Sequence, residues 1–164
     1  MTFAVRRLLG ADAALYRDIR LEGLKAEPSA FGAALEDDMA RTLEAWSTRL
    51  DTSFAFGVFD GDRLMGVAGF YVEAGAKVKH RGHVVGVYVR EAARGTGAAD
   101  QLLAAVIAAA REHVTFLYLQ VTKVRARAVR FYKRNGFTIY GEDPGGLFVD
   151  GTMFEDYLMM LRFD

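Results

Sequence analysis

The 164-residue chain contains no cysteine. This removes disulfides, thiolate zinc sites and any covalent intermediate carried on a protein thiol. It has no excess of either charge, since 21 basic and 21 acidic residues cancel. A dedicated nucleic-acid binder needs a basic surplus or stripe to neutralise phosphates, so no nucleic-acid partner is expected. No run approaches the ~18 apolar residues that a membrane helix requires, and no membrane association is expected. The first residues, Met1–Leu9, are too few and too interrupted by Arg6 and Arg7 to act as a signal peptide, and a cytoplasmic protein is the expectation. No repeat, low-complexity segment or linker divides the chain, which predicts a single domain over residues 1–164.

What is present is a hydrophobic fraction of 52% and a charged fraction of 26%, both ordinary for a soluble globular protein. Thr2–Leu9 reads as a strand. Asp12 is placed to cap a helix running to Ala26, with Leu15, Ile19, Leu21 and Leu24 on one stripe. Beyond a loop marked by Pro28 and Gly32, Met39, Leu43, Trp46 and Leu50 recur at helical spacing and predict one helix over Glu36–Leu50. Ser53–Phe59 and Arg63–Val72 flank Asp60-Gly61-Asp62 as a hairpin, and His83–Val89 is another β-branched run. Gly97–His113, alanine-rich and apolar nearly all round, predicts a helix buried against a sheet. Thr115–Thr122 reads as a strand, Ala126–Arg134 as a helix ended by Gly136, and Phe137–Tyr140 and Tyr157–Phe163 as two closing strands. Meanders combined with strand–helix–strand crossovers predict an α/β fold, a mixed sheet with helices on both faces.

The stretch that carries chemistry is Val87-Tyr88-Val89-Arg90-Glu91-Ala92-Ala93-Arg94-Gly95-Thr96-Gly97-Ala98-Ala99. A strand ends, a turn carries Arg-Gly-x-Gly, and a long helix begins. Helix N-termini leave backbone N–H groups unpaired and partly positive. Glycines at 95 and 97 let an anion approach those amides, and Arg94 adds charge, so a phosphate or pyrophosphate cradle is expected. A Walker loop would need Gly-Lys-Ser/Thr after its glycines, and none follows. A dinucleotide fingerprint would need glycine where Asp100 stands, and an acid some twenty residues on, which Thr115–Thr122 does not supply.

The segment resembles the CoA-binding motif of the GNAT superfamily, Gln/Arg-x-x-Gly-x-Gly/Ala, matched by Arg94, Gly97 and Ala99 behind Val87-Tyr88-Val89. Leu119-Gln120-Val121 followed by Ala128 and Phe131-Tyr132-Lys133-Arg134-Asn135-Gly136-Phe137 resembles the later motif of that family, at a fitting distance. Arg20-Leu21-Glu22-Gly23-Leu24, Pro28, Ala30-Phe31-Gly32 and Trp46 are similar to a common bacterial branch, and Asp156–Leu161 looks like its closing strand. The resemblance implies about seven strands in a mixed central sheet flanked by about four helices. It further implies acetyl-CoA as cosubstrate, an amine-bearing acceptor and no metal; dimerisation is common among similar proteins, and a homodimer is compatible with it.

On that resemblance, the strands at His83–Val89 and Thr115–Thr122 splay apart and admit the pantetheine. Backbone groups of Val87, Tyr88 and Val89, the cradle Arg94-Gly95-Thr96-Gly97-Ala98-Ala99, and Arg125, Ala128 and Tyr132 are the expected cofactor contacts. Tyr132 is the implied acid for the CoA sulfur. The amine must lose a proton before attack. His83 lies on the motif's strand, and its ordinary pKa near 6.5 suits that task. His80, Glu73, Glu142 and a water relay are alternatives, and Gly86 signals a bulge that would change which side chains share a face with His83. His113 reads as structural.

The chain departs from the family pattern in two places. Arg125 stands where many members carry asparagine, and Asp100 stands beside the expected phosphates, so its carboxylate is expected to point away. Arg127 reads as solvated. The acceptor pocket is expected from the loops Glu27–Met39 and Asp143–Asp156. Glu36, Asp37 and Asp38 there would attract a cationic amine, although an acidic helix start looks the same. The rival function is an acyl-CoA-binding regulatory or sensor module without turnover. A structural domain with a vestigial cradle is a third reading, against which Arg94–Gly97 and Tyr132 together argue.

Overall fold

A computed structural model describes residues 2–164, leaving Met1 outside. Seven strands form one sheet: β1 (Phe3–Arg7), β2 (Phe54–Asp60), β3 (Arg63–Val72), β4 (Arg81–Val89), β5 (Phe116–Thr122), β6 (Thr138–Val149) and β7 (Thr152–Arg162). Their order is β1-β2-β3-β4-β5-β7-β6. Every neighbouring pair is antiparallel except β4 and β5, which run parallel. Helices α1 (Ala13–Ala26), α2 (Leu35–Met39) and α3 (Leu43–Thr52) serve one face, and α4 (Ala98–Arg111) and α5 (Ala126–Arg134) the other. The mixed sheet with helices on both faces is the expected α/β arrangement.

Two cores follow from strand alternation. On the α4 side, Met65, Phe70, Leu117, Leu119 and Met159 of the sheet meet Leu102, Leu103, Val106, Val129 and Tyr132. On the α1 side, Ala55, Phe59, Leu64, Val67 and Tyr88 meet Ile19, Leu24, Trp46 and Leu50. Odd residues Leu117, Leu119 and Val121 of β5 pack toward α4 and α5, which directs Tyr118, Gln120 and Thr122 to the opposite face. Helix α4 is less enclosed than its composition suggested. Ala104 and Ala108 are exposed while Leu102, Leu103 and Val106 are buried, because alanine is a helix former that an outer face tolerates. His113 lies just beyond α4 and packs its ring 4.6 Å from Phe54 and 6.4 Å from Phe70.

Three local expectations are corrected. Asp12 does not cap α1 through its side chain; its carboxylate accepts from Leu9 N at 2.9 Å and pairs with Arg6, closing the short turn before the helix. The helix expected over Glu36–Leu50 is two helices. Thr42 is extended and its hydroxyl accepts from Ala45 N at 3.1 Å, a cap that starts α3 afresh, and Met39 and Leu43 of the supposed stripe are exposed. The two closing strands are far longer than expected, and Asp143–Asp156 is not a loop but most of a β6–β7 hairpin. Its turn is Asp150-Gly151, both at positive φ (49° and 79°). Pro144-Gly145-Gly146 reads locally as a breaker, but the ladder absorbs it as an irregularity between Asp143 and Leu147.

The α2 break also assigns its acids. Asp38 is buried, accepting from Arg20 Nε at 3.0 Å and from Arg41 Nε at 3.0 Å, so it is not available to an acceptor amine. Burial alone would raise its pKa, but the hydrogen bonds from Arg20 and Arg41 outweigh that and hold the carboxyl below its ordinary value. A depressed carboxylate contributes stability above the unfolded pKa and loses it as pH falls through the folded one. Asp38→Ala would leave the Arg20 guanidinium, itself 5% exposed, uncompensated. The expected cost is about 3–5 kcal/mol, read by urea unfolding at pH 7, with the gap to wild type narrowing in acid. A loss below about 1 kcal/mol would show that the pair is not a structural tie.

Candidate active site

The parallel β4–β5 pair holds only from Arg81↔Phe116 to His83↔Tyr118. Beyond it the strands diverge around a cleft of about 1050 Å³ lined by Val84–Val89 on one side and Leu119–Thr122 on the other. The divergence has a local cause in β4. Gly86 sits at φ 66°, and the β3–β4 register shifts between Val67↔Tyr88 and Gly69↔Val85. That bulge reverses the alternation. Val84 and Val89 both pack on the α4 side, and Tyr88 turns to the α1 side, close over Gly23 and 6.4 Å from Phe31. The Tyr88 side chain is therefore core, and only its backbone remains for a ligand. A Cβ at position 86 would come within 2.6 Å of Arg20 Nη1, so the bulge also seats the buried arginine.

At the open end, Gly95 (φ 74°) and Gly97 (φ 88°) take left-handed conformations, and a Cβ at either would meet nothing within 4 Å. Gly97 is the N-cap of α4. Among the described residues, the amides of Gly95, Thr96, Gly97, Ala98 and Ala99 donate to no protein acceptor, whereas Arg94 N bonds Glu91 O and Gln101 N bonds Gly97 O. The Ala98 side chain is buried in the core and the Thr96 hydroxyl bonds Ala93 O, so this stretch offers backbone rather than side chains. Asp100 is engaged by Arg134 (3.0 and 3.2 Å) and Asn135 (3.0 Å). The Arg134 hydrogen bond, against a smaller opposing effect of burial and with help from Asn135, keeps its carboxyl ionised below the ordinary range. The acid beside the amide row is thus neutralised by α5.

Arg94 is not free at this turn. Its Nε donates to Val89 O at 3.0 Å, and its Nη2 lies 3.4 Å from Glu27 Oε1. The other oxygen of Glu27 accepts from Arg125 Nη2 at 3.2 Å. Glu27 therefore ties the β4–α4 turn to the β5–α5 turn across the mouth of the cleft, a link that nothing local in the sequence announces. Arg127 is exposed at the rim, and Ala128 is half-buried on the wall.

Tyr132 lines the same cleft at 9% exposure, wedged 5.2 Å from Phe131 and 5.9 Å from Phe137. Among the described residues its hydroxyl has no protein partner. Burial pushes its pKa up to about 12, with the Arg125 charge opposing weakly, so the phenol keeps its proton at neutral pH. His83 also lines the cleft, at the closed end, stacked 5.0 Å from Tyr71 with its Nε2 3.4 Å from Glu73 Oε1. Glu73 is paired with Arg81, and Glu142 with Lys123 at 2.7 Å. His80 stands edge-on to Phe116 at 6.3 Å, outside the cleft lining. The structure brings Val87, Tyr88, Val89, Arg94, Gly95, Gly97, Ala99, Arg125, Ala128, Tyr132 and His83 to one cavity, whereas Thr96 and Ala98 of the same turn lie outside its lining. Asp156 and Thr122 line it too; the sequence places Asp156 at the end of an expected acceptor-pocket loop but gives neither side chain a role.

The acetyltransferase (GNAT) family model matches residues 20–137. Among solved structures, the chain is similar to an acetyltransferase of the GNAT family from Streptococcus pneumoniae, at 20% identity over 99% of this chain and 100% of that one, with a TM-score of 0.86. It is similar to the yncA protein of Salmonella typhimurium, determined with its cofactor acetyl-CoA, at 19% identity over 100% and 95% of the two chains, TM-score 0.82. A ribosomal-protein-alanine N-acetyltransferase from Brucella melitensis gives 19% identity over 98% and 99%, TM-score 0.80. No curated protein matches the sequence.

Proposed function

The chain belongs to the GNAT acetyltransferase family, and from that premise we propose that it moves the acetyl group of acetyl-CoA to an amine by direct attack in a ternary complex. The observation that carries this reading is one cavity that joins the turn at Gly95, Gly97 and Ala99, within a row of amides open to a ligand, to a buried phenol and a strand edge free to pair. The amides receive the pyrophosphate, whose charge the start of α4 favours. The pantetheine runs along Val87 and Val89 as an added strand, with Arg94, Arg125 and Ala128 flanking its path. An amide of β4 stabilises the oxyanion of the tetrahedral intermediate.

Tyr132 donates a hydrogen bond to the sulfur as the carbon–sulfur bond breaks. With its pKa near 12 against ~8.5 for an ordinary thiol, the proton rests on the phenol. Its role is then to stabilise the departing thiolate, while the proton lost by the amine ultimately neutralises it. His83, the imidazole on the cleft wall, takes the amine's proton directly or through water. No step needs a metal in this scheme.

Calorimetric titration with acetyl-CoA, followed by thiol release against an amine panel, tests the reading. Binding with amine-dependent release is expected. Binding with no release on any amine would favour the sensor alternative, and no binding would overturn both.

A further inference from the structure

Among the described residues, the cleft holds a buried carboxylate that no cationic side chain matches. Asp156, on the interior strand β7, is 3% exposed, its Oδ1 has no hydrogen-bond partner, and it faces the cavity. Its cross-strand neighbour on β5 is Thr122, also 3% exposed, whose Oγ1 is likewise without a partner. On the other side β6 presents Asp143 opposite Asp156, and Gly146 passes so close that a Cβ there would overlap the carboxylate. Among the described residues no lysine, arginine or histidine nitrogen lies within 4 Å of Asp156 or Asp143; of the cleft arginines, Arg94 and Arg125 pair with Glu27, and Arg20 pairs with Asp38 through Nε while its Nη1 has no partner. Lys123, next to Thr122 in the chain, turns to the other face and bonds Glu142 and Glu155.

A buried, ionised carboxylate is strongly unfavourable unless it is paired and hydrogen-bonded. Here two unsatisfied acceptors, one hydroxyl and one carboxylate, line a ligand cavity from the neighbouring interior strands β5 and β7. Burial first, and the Asp143 charge second, push the Asp156 carboxyl above its ordinary value, as expected of an acid whose partner is missing. The geometry points to Asp156 with Thr122 as an alkylammonium subsite, the place where a cationic acceptor is held on the α1 side of the sheet. The inference rests on the acetyltransferase reading and names its acceptor class: amines bearing a positive alkylammonium group, rather than neutral or anionic acceptors.

The subsite is a holding site and not the proton acceptor at His83. His83 pairs with Tyr118 and Asp156 with Thr122, four residues further along β5, roughly 13 Å at the strand rise. The acceptor enters between Asp156 and the loop carrying Glu27 and Phe31, which lines the same cavity.

The test is thermal unfolding of the full chain at pH 8 with n-butylammonium chloride, set against equal sodium chloride and tetramethylammonium chloride. Wild type should gain roughly 3–6 °C at ten times the dissociation constant of butylammonium, and tetramethylammonium, which has no N–H to donate, should give much less. Asp156→Asn should lose the response. It should also be at least as stable as wild type without ligand, because an acid with a raised folded pKa loses stability as pH rises through that pKa. Thr122→Val should weaken the response without abolishing it. Equal responses in wild type and Asp156→Asn, no response in wild type, or an equal response to tetramethylammonium would each overturn the proposal. Acetyl-CoA titration of the same two proteins separates the failures. Loss of cofactor binding in both would sink the acetyltransferase reading and leave the ammonium response to judge the subsite by itself.

Discussion

Gly97→Glu should raise the dissociation constant of acetyl-CoA by at least about 100-fold while leaving the protein folded. Gly97 caps α4 at φ 88° with open space where a Cβ would stand, so the first atom of the new side chain meets no protein atom. Its backbone cost is that of one non-glycine residue in the left-handed region, about 1–2 kcal/mol. The glutamate would place a carboxylate among the unpaired amides of Gly95–Ala99, where it competes for the same donors and repels a phosphate. About 2.7 kcal/mol of lost binding corresponds to the 100-fold figure. Gly97→Ala carries the strain without the charge and should cost far less affinity. Calorimetry on the three proteins decides the matter: a glutamate variant that binds within about threefold of wild type would reduce the amide row to an ordinary helix start.

The second large effect belongs to Tyr132→Phe. Removing one hydroxyl should lower kcat by about 10²-fold or more, the usual range for losing one hydrogen-bond donor to charge that develops in the transition state. The KM for acetyl-CoA should change little, since the hydroxyl acts on charge that develops only as the thiolate leaves. Stability should be preserved. The ring remains packed against Phe131 and Phe137, and the hydroxyl gives up no protein hydrogen bond among the described residues. Steady-state kinetics with any amine that supports thiol release provides the check. An unchanged kcat would make Tyr132 a packing residue and move the leaving-group problem to water.

The Tyr132 and Gly97 predictions could be framed before any coordinates, whereas the Asp156 prediction could not. The strand–turn–helix around Arg94–Ala99 is written in a contiguous run, and its glycines adopt the positive φ values that the motif requires. The helix Ala126–Arg134 falls within the expected bounds, since an alternating basic and apolar face is a local pattern. The closing hairpin was underestimated because Pro144-Gly145-Gly146 is a local turn signal, and only pairing with β7 over both flanks keeps the chain extended. The single helix expected over Glu36–Leu50 failed for the opposite reason. Its period continues through residues 40–42, but the Arg20–Asp38 pair and the Thr42 cap, one tertiary and one local, divide it.

By itself, then, the sequence determined the type of most elements, the open amide row at the start of α4 and the place of Tyr132 on α5, because each depends on residues within about one or two helical turns of one another. Tertiary structure decided the rest. It set where β4 leaves β5, which way Tyr88 and His83 face on either side of the Gly86 bulge, and that Glu27 joins Arg94 to Arg125. It also brought Asp156 beside Thr122 inside the cleft. The reason is the two-residue period of a strand. A one-residue shift of register sends every side chain to the other face, and register is set by partners far away in the chain rather than by neighbours along it.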